Sequence, residues 1–265
     1  MTPRLLSWIA QATGGRLVGD DRTVDAVATD TRALPGGDAL FVALKGERFD
    51  GHAHVRAAAD GGCVAALVAR PVEAALPQVV VADTERALAS LAAAVQRERA
   101  TKVLAVTGSN GKTTVKTLLH SILRQLGSAY ANPGNRNNEI GLPLAVLDAP
   151  DDARFAVYEM GAGKPGDIAY LTAIARPDVA LVNNIASAHL ERMGSLLGIA
   201  QTKGAIYQAL PADGVAVVNA DDAFALYFSE RLRGVRMIRF GIEAEADISA
   251  RDIHGGLQGS RFTLV

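Results

Sequence analysis

The sequence is poor in cysteine and carries almost no excess charge of either sign. Its single cysteine, Cys63, among 265 residues excludes an internal disulfide framework and fits a reducing compartment. A formal net charge of -1 gives no global field that would favour nucleic acid or an acidic membrane, so we expect neither as a partner. No apolar run approaches the about 18 residues of a membrane span, and the N-terminal apolar stretch is too short for a secretory signal. These absences predict a cytoplasmic protein.

What is present is an ordinary globular composition, with 49% hydrophobic and 21% charged residues, organised in two parts that meet near residue 100. Residues 1–100 hold short elements separated by "LPGGD", "DGG" and "ARP". Cys63 lies in "GGCVAALVA", which predicts a buried strand and a structural cysteine.

From residue 103 onward, strand patterns alternate with helical patterns. The predicted strands are 103–106, 155–159, 179–183, 215–218 and 236–240, and the predicted helices are 112–126, 166–175, 195–210 and 223–232. Such alternation predicts an α/β fold with a mostly parallel sheet whose faces are covered. The last residues, 247–265, predict two strands around a Gly-rich turn, and the chain stops inside the second one.

A Gly-rich loop stands between the first predicted strand of this part and its helix, in "VLAVTGSNGKTTVKTLLHSILRQLG" (103–127). It resembles a phosphate-binding loop, but Val106 occupies the place of the first glycine, so the loop shortens to residues 107–113. Gly108 and Gly111 permit backbone conformations that point N–H groups at one anion, and the following helix adds its positive end. A strand-to-helix turn without a ligand is the alternative. The order of strand, Gly-Lys-Thr-Thr and helix favours a nucleoside triphosphate site. Its predicted contacts are Thr107, Gly108, Ser109, Asn110, Gly111, Lys112, Thr113 and Thr114.

The same loop, "VTGSNGKTT", resembles the ATP loop of the Mur ligases, which join amino acids or peptides to the growing cell-wall precursor. The folylpolyglutamate synthases share a similar loop. Near the N-terminus, "TDTR" (29–32), "PGGDALFVALKGERFDGHAHV" (35–55) and "AAADGGCVAALV" are similar to the uridine-nucleotide domain shared by two Mur subfamilies. Three stretches, "NPGNRNNEIGLP" (132–143), "YEMGAGKPGDI" (158–168) and "LVNNIASAHLERMGSLLGIAQTKGAIY" (181–207), resemble the subfamily that adds the terminal dipeptide.

The resemblance implies a small N-terminal α/β domain that binds the uridine nucleotide, residues 1–100. It is followed by a P-loop-type, mostly parallel-sheet ATPase domain, residues 101–265, which ends before the family's central domain is complete. The implied reaction joins D-alanyl-D-alanine to UDP-N-acetylmuramoyl-tripeptide, with ATP converted to ADP through an acyl phosphate. Because the family's third domain is absent, we expect this chain alone to bind the UDP substrate and to ligate poorly or not at all. We also expect a monomer.

The resemblance also implies two magnesium ions. Thr113 and Glu159 would hold one, and His189 with a carbamylated Lys203 would hold the other. Lys112, His189 and Lys203 are the implied catalytic residues. Without the resemblance, each of these residues has a simpler interpretation. Glu159 would be an exposed carboxylate at a strand end, His189 would be a structural histidine, and Lys203 would be a solvated surface charge. Lys164 is expected to stay solvated on a loop.

Other polar residues of the motifs are candidate ligand contacts. Asn135 and Asn138 suit phosphate or peptide oxygens, or simply turns. Asn219 and Asp222, in "NADD", are implied to lie near the nucleotide, with a helix N-cap as the alternative. The predicted contacts of the UDP substrate are Thr29, Asp30, Thr31, Arg32, Lys45, Gly46 and Arg48, where Arg32 pairs with the diphosphate. His52 and His54 are expected to be structural.

Two rival functions remain open from the sequence. One is the Mur ligase that adds the third residue of the stem peptide, which a comparison of tripeptide and dipeptide nucleotides would separate. The other is a non-catalytic nucleotide-binding module, which binds without turnover.

Overall fold

The computed structural model describes residues 1–188, 190–232, 234–257 and 259–265. Its strands are Arg4–Leu5 (β1), Arg16–Val18 (β2), Thr23–Val24 (β3), Ala26–Ala28 (β4), Ala39–Val42 (β5), Ala65–Val68 (β6), Gln78–Val80 (β7), Lys102–Thr107 (β8), Ala129–Ala131 (β9), Phe155–Glu159 (β10), Val179–Val182 (β11), Val215–Asn219 (β12), Arg236–Phe240 (β13), Ala250–Gly256 (β14) and Gly259–Leu264 (β15). Its helices are Leu6–Thr13 (α1), Val55–Asp60 (α2), Thr84–Glu98 (α3), Lys112–Leu123 (α4), Gly141–Asp148 (α5), Asp167–Ala175 (α6), Leu190–Met193 (α7), Leu196–Gln208 (α8) and Ala225–Arg231 (α9), with a 3-10 helix at Gly51–His54.

The chain folds as two compact units. The first comprises Met1–Thr101 and Asn132–Ala153, and the second comprises Lys102–Ala131 and Arg154–Val265. The segment Asn132–Ala153 therefore belongs by its contacts to the first unit, although the division at residue 100 assigned it to the second domain.

The first unit is built on a five-stranded sheet of order β2-β7-β6-β5-β4, in which β4 to β7 are parallel and β2 is antiparallel. Strands β5 and β6 are buried at every position, as expected for parallel strands covered on both faces. Helix α3 begins where the Asp83 carboxylate accepts the N–H groups of Glu85 and Arg86 at 2.9 and 3.0 Å. Its alanine- and leucine-rich face packs against α1 and α5.

The second unit is built on a six-stranded sheet of order β13-β12-β11-β8-β10-β9, and every pairing in it is parallel. The predicted α/β class with a mostly parallel sheet is confirmed. Strand β8 lies at the centre, with β10 on one side and β11 on the other. The carboxyl ends of β8 and β11 therefore border the place where the strand order reverses, which is where open α/β sheets bind ligands.

Several local predictions were wrong at the level of single elements. Cys63 is buried but precedes β6, which begins at Ala65. Helix α4 ends at Leu123 rather than at residue 126. Helix α5 was not predicted, because its Gly-Leu-Pro start is typical of a turn. Pro143 is tolerated there because it lies in the first helical turn, where an N–H would have no intrahelical acceptor.

The last part of the chain forms an antiparallel pair of strands, β14 and β15, as predicted. Apolar side chains on this pair, among them Ile253, Phe262 and Leu264, are exposed. Within the described residues, we find no helix whose length and apolar character would let it cross a membrane.

Candidate functional site

Two glycines shape the loop that follows β8. Gly108 and Gly111 have φ values of 153° and 74°, in the region that favours glycine. A Cβ on Gly108 would come within 3.0 Å of the Asn183 Cβ, and one on Gly111 within 2.8 Å of the Asn183 amide nitrogen. The backbone conformation therefore favours glycine at both positions, and at Gly108 the close approach of the segment after β11 adds to this preference.

The same segment after β11 holds the loop by hydrogen bonds. Asn184 accepts the Ser109 N–H on its backbone oxygen and the Asn110 N–H on its side-chain oxygen, both at 2.9 Å. Asn183 donates its side-chain amide to the Asn110 carbonyl at 2.8 Å. The Ser109 hydroxyl exchanges two hydrogen bonds with the backbone of Ala186. Ser109 and Asn110, predicted as nucleotide contacts, thus use their N–H groups to shape the loop.

The N-terminus of α4 offers the backbone donors that the loop does not use. The first bond within the helix runs from the Val115 N–H to the Gly111 carbonyl at 3.0 Å. The N–H groups of Lys112, Thr113 and Thr114 precede it and have no intrahelical acceptor. Together with the positive end of the helix dipole they form a site suited to an anion.

Two lysines converge on one carbonyl of the loop. The ammonium groups of Lys112 and Lys203 lie 2.9 and 3.0 Å from the Gly108 oxygen. Lys203 is 2% exposed, so the solvated surface charge considered from sequence is wrong. Burial and, after it, the nearby Lys112 charge lower the pKa of Lys203 to about 8. A larger share of Lys203 is therefore a neutral amine at physiological pH than is usual for lysine.

Glu159, the last residue of β10, is 3% exposed and faces α4, so the exposed strand-end carboxylate is also wrong. The Thr113 hydroxyl donates to its Oε2 at 2.8 Å, and the Lys116 ammonium lies 3.4 Å from the same oxygen. Sequence reasoning missed Lys116. Its spacing of three residues from Thr113, which places both on one face of the helix, was the available signal.

The donor set around Glu159 fits a magnesium ion. Mg²⁺ takes a few protein oxygens and keeps several waters, and here a carboxylate and a hydroxyl lie 2.8 Å apart beside the anion site. His189, the predicted ligand of a second ion, lies outside the described residues. Among the residues that are described, no group of three or more histidine, cysteine, aspartate and glutamate side chains is arranged to hold a metal.

The "NADD" motif contacts the segment after β11, which in turn contacts the phosphate loop. Asn219 donates its side-chain amide to the Asn183 carbonyl at 3.0 Å, and Asp222 accepts the Ile185 N–H at 2.7 Å. Both residues therefore hold the segment that in turn holds the phosphate loop. Asp222 also acts at the start of α9, as the helix N-cap alternative expected, because its carboxylate accepts the Phe224 N–H at 2.8 Å and its carbonyl accepts the Ala225 N–H at 2.9 Å.

A cavity of about 680 Å³ in the first unit is lined by four of the seven predicted contacts of the UDP substrate. Its lining consists of Thr29, Asp30, Thr31, Arg32, Phe41, Phe49 and His54. The Arg32 guanidinium donates to both carboxylate oxygens of Asp30, from Nε at 2.9 and 3.2 Å and from a terminal nitrogen at 2.6 Å. These hydrogen bonds lower the pKa of Asp30 to about 2. Arg32 is thus oriented by Asp30, with 88% of its side chain exposed.

The two histidines of this region differ in role. His52 is buried, with Nδ1 2.6 Å from an Asp50 carboxylate oxygen and Nε2 accepting the Ala69 N–H at 2.8 Å, so its structural role is confirmed. His54 lines the cavity, where its ring stacks on Phe49.

The remaining predicted contacts lie at other places. Lys45, Gly46 and Arg48 are exposed on the turn that carries Phe49. Asn135 is exposed, while Asn138 accepts the Gly141 N–H at 2.8 Å at the start of α5. For Asn138 the turn-forming alternative therefore describes the structure.

Lys164 was predicted to lie on a loop and to be solvated. Lys164 is exposed between β10 and α6, so this prediction is confirmed.

Comparison with known proteins matches this architecture to one family. The family described as "Mur ligase middle domain" matches residues 106–265, which contain the loop, Glu159 and Lys203. The chain belongs to the Mur ligase family. The resemblance inferred from the motifs is thereby confirmed.

Named relatives agree with this membership. The chain is similar to UDP-N-acetylmuramoyl-tripeptide–D-alanyl-D-alanine ligase of Escherichia coli, with 45% identity over 98% of this Mur ligase chain and 57% of the relative. MurF from Acinetobacter baumannii superposes with a TM-score of 0.91 and 36% identity, over 100% of this chain and 61% of that one. MurF ligase from Thermotoga maritima, solved in complex with ADP, superposes with a TM-score of 0.81 and 33% identity. The match covers 91% of this chain and 56% of that one. The chain therefore spans 56–61% of these relatives' lengths, which is less than two thirds.

Proposed function

We propose that this chain is the nucleotide- and substrate-binding part of an ADP-forming ligase that joins D-alanyl-D-alanine to UDP-N-acetylmuramoyl-tripeptide. The convergence of Lys112, Lys203 and the start of α4 on one anion site, beside the Thr113–Glu159 pair, carries the proposal. The names of the relatives supply the substrates. Because the chain spans about 57% of the E. coli relative, the whole activity is proposed for the complete enzyme.

The anion site is proposed to bind the phosphates of ATP. The N–H groups of Lys112, Thr113 and Thr114 donate to phosphate oxygens, and the Lys112 ammonium turns from the Gly108 carbonyl toward the terminal phosphate. Placing cations and fixed dipoles where charge develops is the main way proteins catalyse phosphoryl transfer. The loop is held by Asn183 and Asn184, so these donors are positioned in advance.

Thr113 and Glu159 are proposed to hold one magnesium ion. Bound magnesium would neutralise charge on the triphosphate and on the attacking carboxylate. Lys116 is 3.4 Å from Glu159 and stabilises the ionised carboxylate, which is the protonation state a metal ligand needs. His189 is proposed as a ligand of a second ion, as the family resemblance implies.

Lys203 is proposed to be carbamylated and to contribute to that second ion. The neutral amine attacks the carbon of CO₂, an N–C bond forms, and the displaced proton leaves to water, so a cation becomes an anion. The lowered pKa supports this step because it raises the share of neutral amine. Lys112, which lies against the same carbonyl, would then face an anion in place of a second cation.

Residues 1–100 are proposed to bind the uridine nucleotide through the cavity of the first unit, with Thr29, Asp30, Thr31 and Arg32 as its polar contacts. Lys45, Gly46 and Arg48 would extend the site toward the diphosphate or the tripeptide. Residues 101–265 are proposed as the ATP-binding domain of a monomeric, cytoplasmic enzyme.

Calorimetric titration of the chain with UDP-N-acetylmuramoyl-tripeptide tests the substrate assignment, with the dipeptide form as its control. A clear preference for the tripeptide form is expected. A preference for the dipeptide form would instead identify the ligase that adds the third residue. Binding of ATP without either UDP ligand would overturn the substrate assignment and leave a nucleotide-binding module.

A further inference from the structure

Phe49 and His54 form a stacked pair of rings at the cavity of the first unit. Their ring centroids are 5.2 Å apart and the ring planes are inclined by only 13°. Phe49 is 48% exposed, and both rings line the cavity. A phenylalanine exposed to this extent, with one face stacked, leaves apolar ring surface available to a ligand.

The backbone on both sides holds this pair in place. The Gly46 N–H donates to the Phe49 carbonyl at 2.8 Å and closes the turn. The next residue, Asp50, accepts the His52 N–H at 3.0 Å and starts the 3-10 helix that ends at His54. An Arg70 nitrogen lies 2.9 Å from the other Asp50 oxygen. Phe49 and His54 are therefore attached to a turn and a helix that share one anchored aspartate.

The rest of the cavity has a different chemistry. Phe41, which is 1% exposed, adds an apolar surface, while Thr29, Asp30, Thr31 and Arg32 present hydroxyls, a carboxylate and a guanidinium. A flat aromatic wall together with hydrogen-bonding groups is suited to a flat heterocycle with polar edges. The volume of about 680 Å³ lies within the range of small-molecule sites.

We propose that Phe49 and His54 are the base-stacking wall of this cavity. The inference rests on the proposed function, in which this unit binds a uridine nucleotide, and adds to it the residues that contact the base. Stacking accepts any base, because every base has a π face. The pair therefore contributes affinity, while selection among pyrimidines belongs to the polar residues at 29–32.

Calorimetric dissociation constants for UDP, CDP and ribose 5-phosphate test this assignment in the unchanged chain and in two Phe49 variants. Phe49→Leu keeps an apolar side chain and removes the π face, while Phe49→Tyr keeps the ring. Phe49→Leu is expected to weaken UDP and CDP about tenfold and by the same factor, with ribose 5-phosphate unaffected. Phe49→Tyr is expected to stay within about twofold of the unchanged chain for all three ligands.

Leu5→Ala is the matched control, because Leu5 is 49% exposed in the same unit and is not among the cavity's lining residues. Melting temperatures of all variants verify folding. Equal UDP affinity in Phe49→Leu and the unchanged chain, while UDP-N-acetylmuramoyl-tripeptide still binds, would overturn the stacking wall and leave the proposed function standing. An unchanged chain that binds neither UDP nor UDP-N-acetylmuramoyl-tripeptide would overturn both. If Phe49→Leu weakened ribose 5-phosphate by the same factor as UDP, the stacking wall would also be overturned, since ribose 5-phosphate has no base.

Discussion

The buried ammonium of Lys203 donates a hydrogen bond of 3.0 Å to the carbonyl of Gly108, 95 residues earlier in the chain. The bond ties the middle of α8 directly to the phosphate loop. Because Lys112 donates to the same oxygen, the structure places two ammonium groups around one acceptor in a buried site. A chemical change at Lys203 would therefore alter the hydrogen bonding and charge at the phosphate loop.

The first prediction concerns the pH dependence of stability that Lys203 causes. Its pKa is about 8 in the folded chain against an ordinary 10.5, so the folded state loses this proton first as the pH rises. The unfolded state binds more protons between pH 8 and 10.5, and stability contributed by this group rises across that window. For the chain with an unmodified Lys203 amine, prepared without CO₂ or metal, the free energy of unfolding is expected to rise relative to that of Lys203→Met by on the order of 3 kcal/mol.

Urea unfolding of both proteins at pH 7 and pH 10.5 measures this difference, and groups common to both cancel. Lys164→Met is the control, because it removes an exposed lysine in place of the buried one. A constant difference for Lys203→Met would show that Lys203 has an ordinary pKa.

The second prediction separates close packing from backbone strain at the phosphate loop. Gly111→Ala introduces a Cβ at φ 74° that meets the Asn183 amide nitrogen at 2.8 Å, and that amide is held by the Asn110 carbonyl. Gly134→Ala introduces a Cβ at φ 54° with nothing within 4 Å. Both substitutions carry about 1 kcal/mol of strain from the left-handed backbone.

Only Gly111→Ala is therefore expected to weaken ATP binding, by about tenfold, because it displaces the segment that shapes the loop. Calorimetry with ATP and magnesium gives the affinities. Equal affinity in the two variants would contradict the role assigned to Asn183.

The third prediction tests whether α5 contributes to a hydrophobic core. Leu142, in α5, is fully buried, whereas Leu118, on α4, is 59% exposed. Leu142→Ala is expected to lower the free energy of unfolding by about 2–5 kcal/mol, through lost burial and a cavity. Leu118→Ala should change it by less than about 0.5 kcal/mol. Chemical denaturation compares them, and similar effects of the two substitutions would refute the packing of α5.

The fourth prediction concerns Arg99, which joins the end of α3 to the segment after α5. Its side chain is 4% exposed and donates to the Asp151 carboxylate and to the carbonyls of Val146 and Ala149 at 2.6–2.7 Å. Arg99→Met leaves these acceptors without their donor. It is expected to lower the free energy of unfolding by about 3–5 kcal/mol. A double-mutant cycle with Asp151→Asn should give a coupling of about 1–3 kcal/mol.

Arg86→Met serves as the matched control for this substitution. Arg86 lies on α3 with its side chain 85% exposed and 3.9 Å from Asp83, so its removal should change stability by less than about 0.5 kcal/mol. Additive effects of the Arg99 and Asp151 substitutions would show that the two residues do not interact.

Local sequence was sufficient for the elements with strong periodicity. Strands β10 and β13 occur at the predicted residues, since five apolar-rich positions between breakers leave little choice of boundary. Helix α5 was missed because its opening residues are turn formers, and only packing against α3 compensates for them. Boundary errors such as the end of α4 arise because the exposed Leu126 continues the apolar pattern past the helix.

The sequence by itself therefore determined the helices and strands with a periodic apolar pattern, the two loop glycines and the membership of the Mur ligase family. Each of these is encoded in short continuous stretches of the chain. Tertiary structure alone decided that Lys203 is buried, that Glu159 meets Thr113 and Lys116, and that Phe49 stacks on His54. The Lys203 and Glu159 contacts join residues 43 to 95 positions apart, brought together by the order of strands in the sheet. Spacing along a single chain encodes local conformation, whereas burial and the charge of a site depend on which distant residues the fold places beside it.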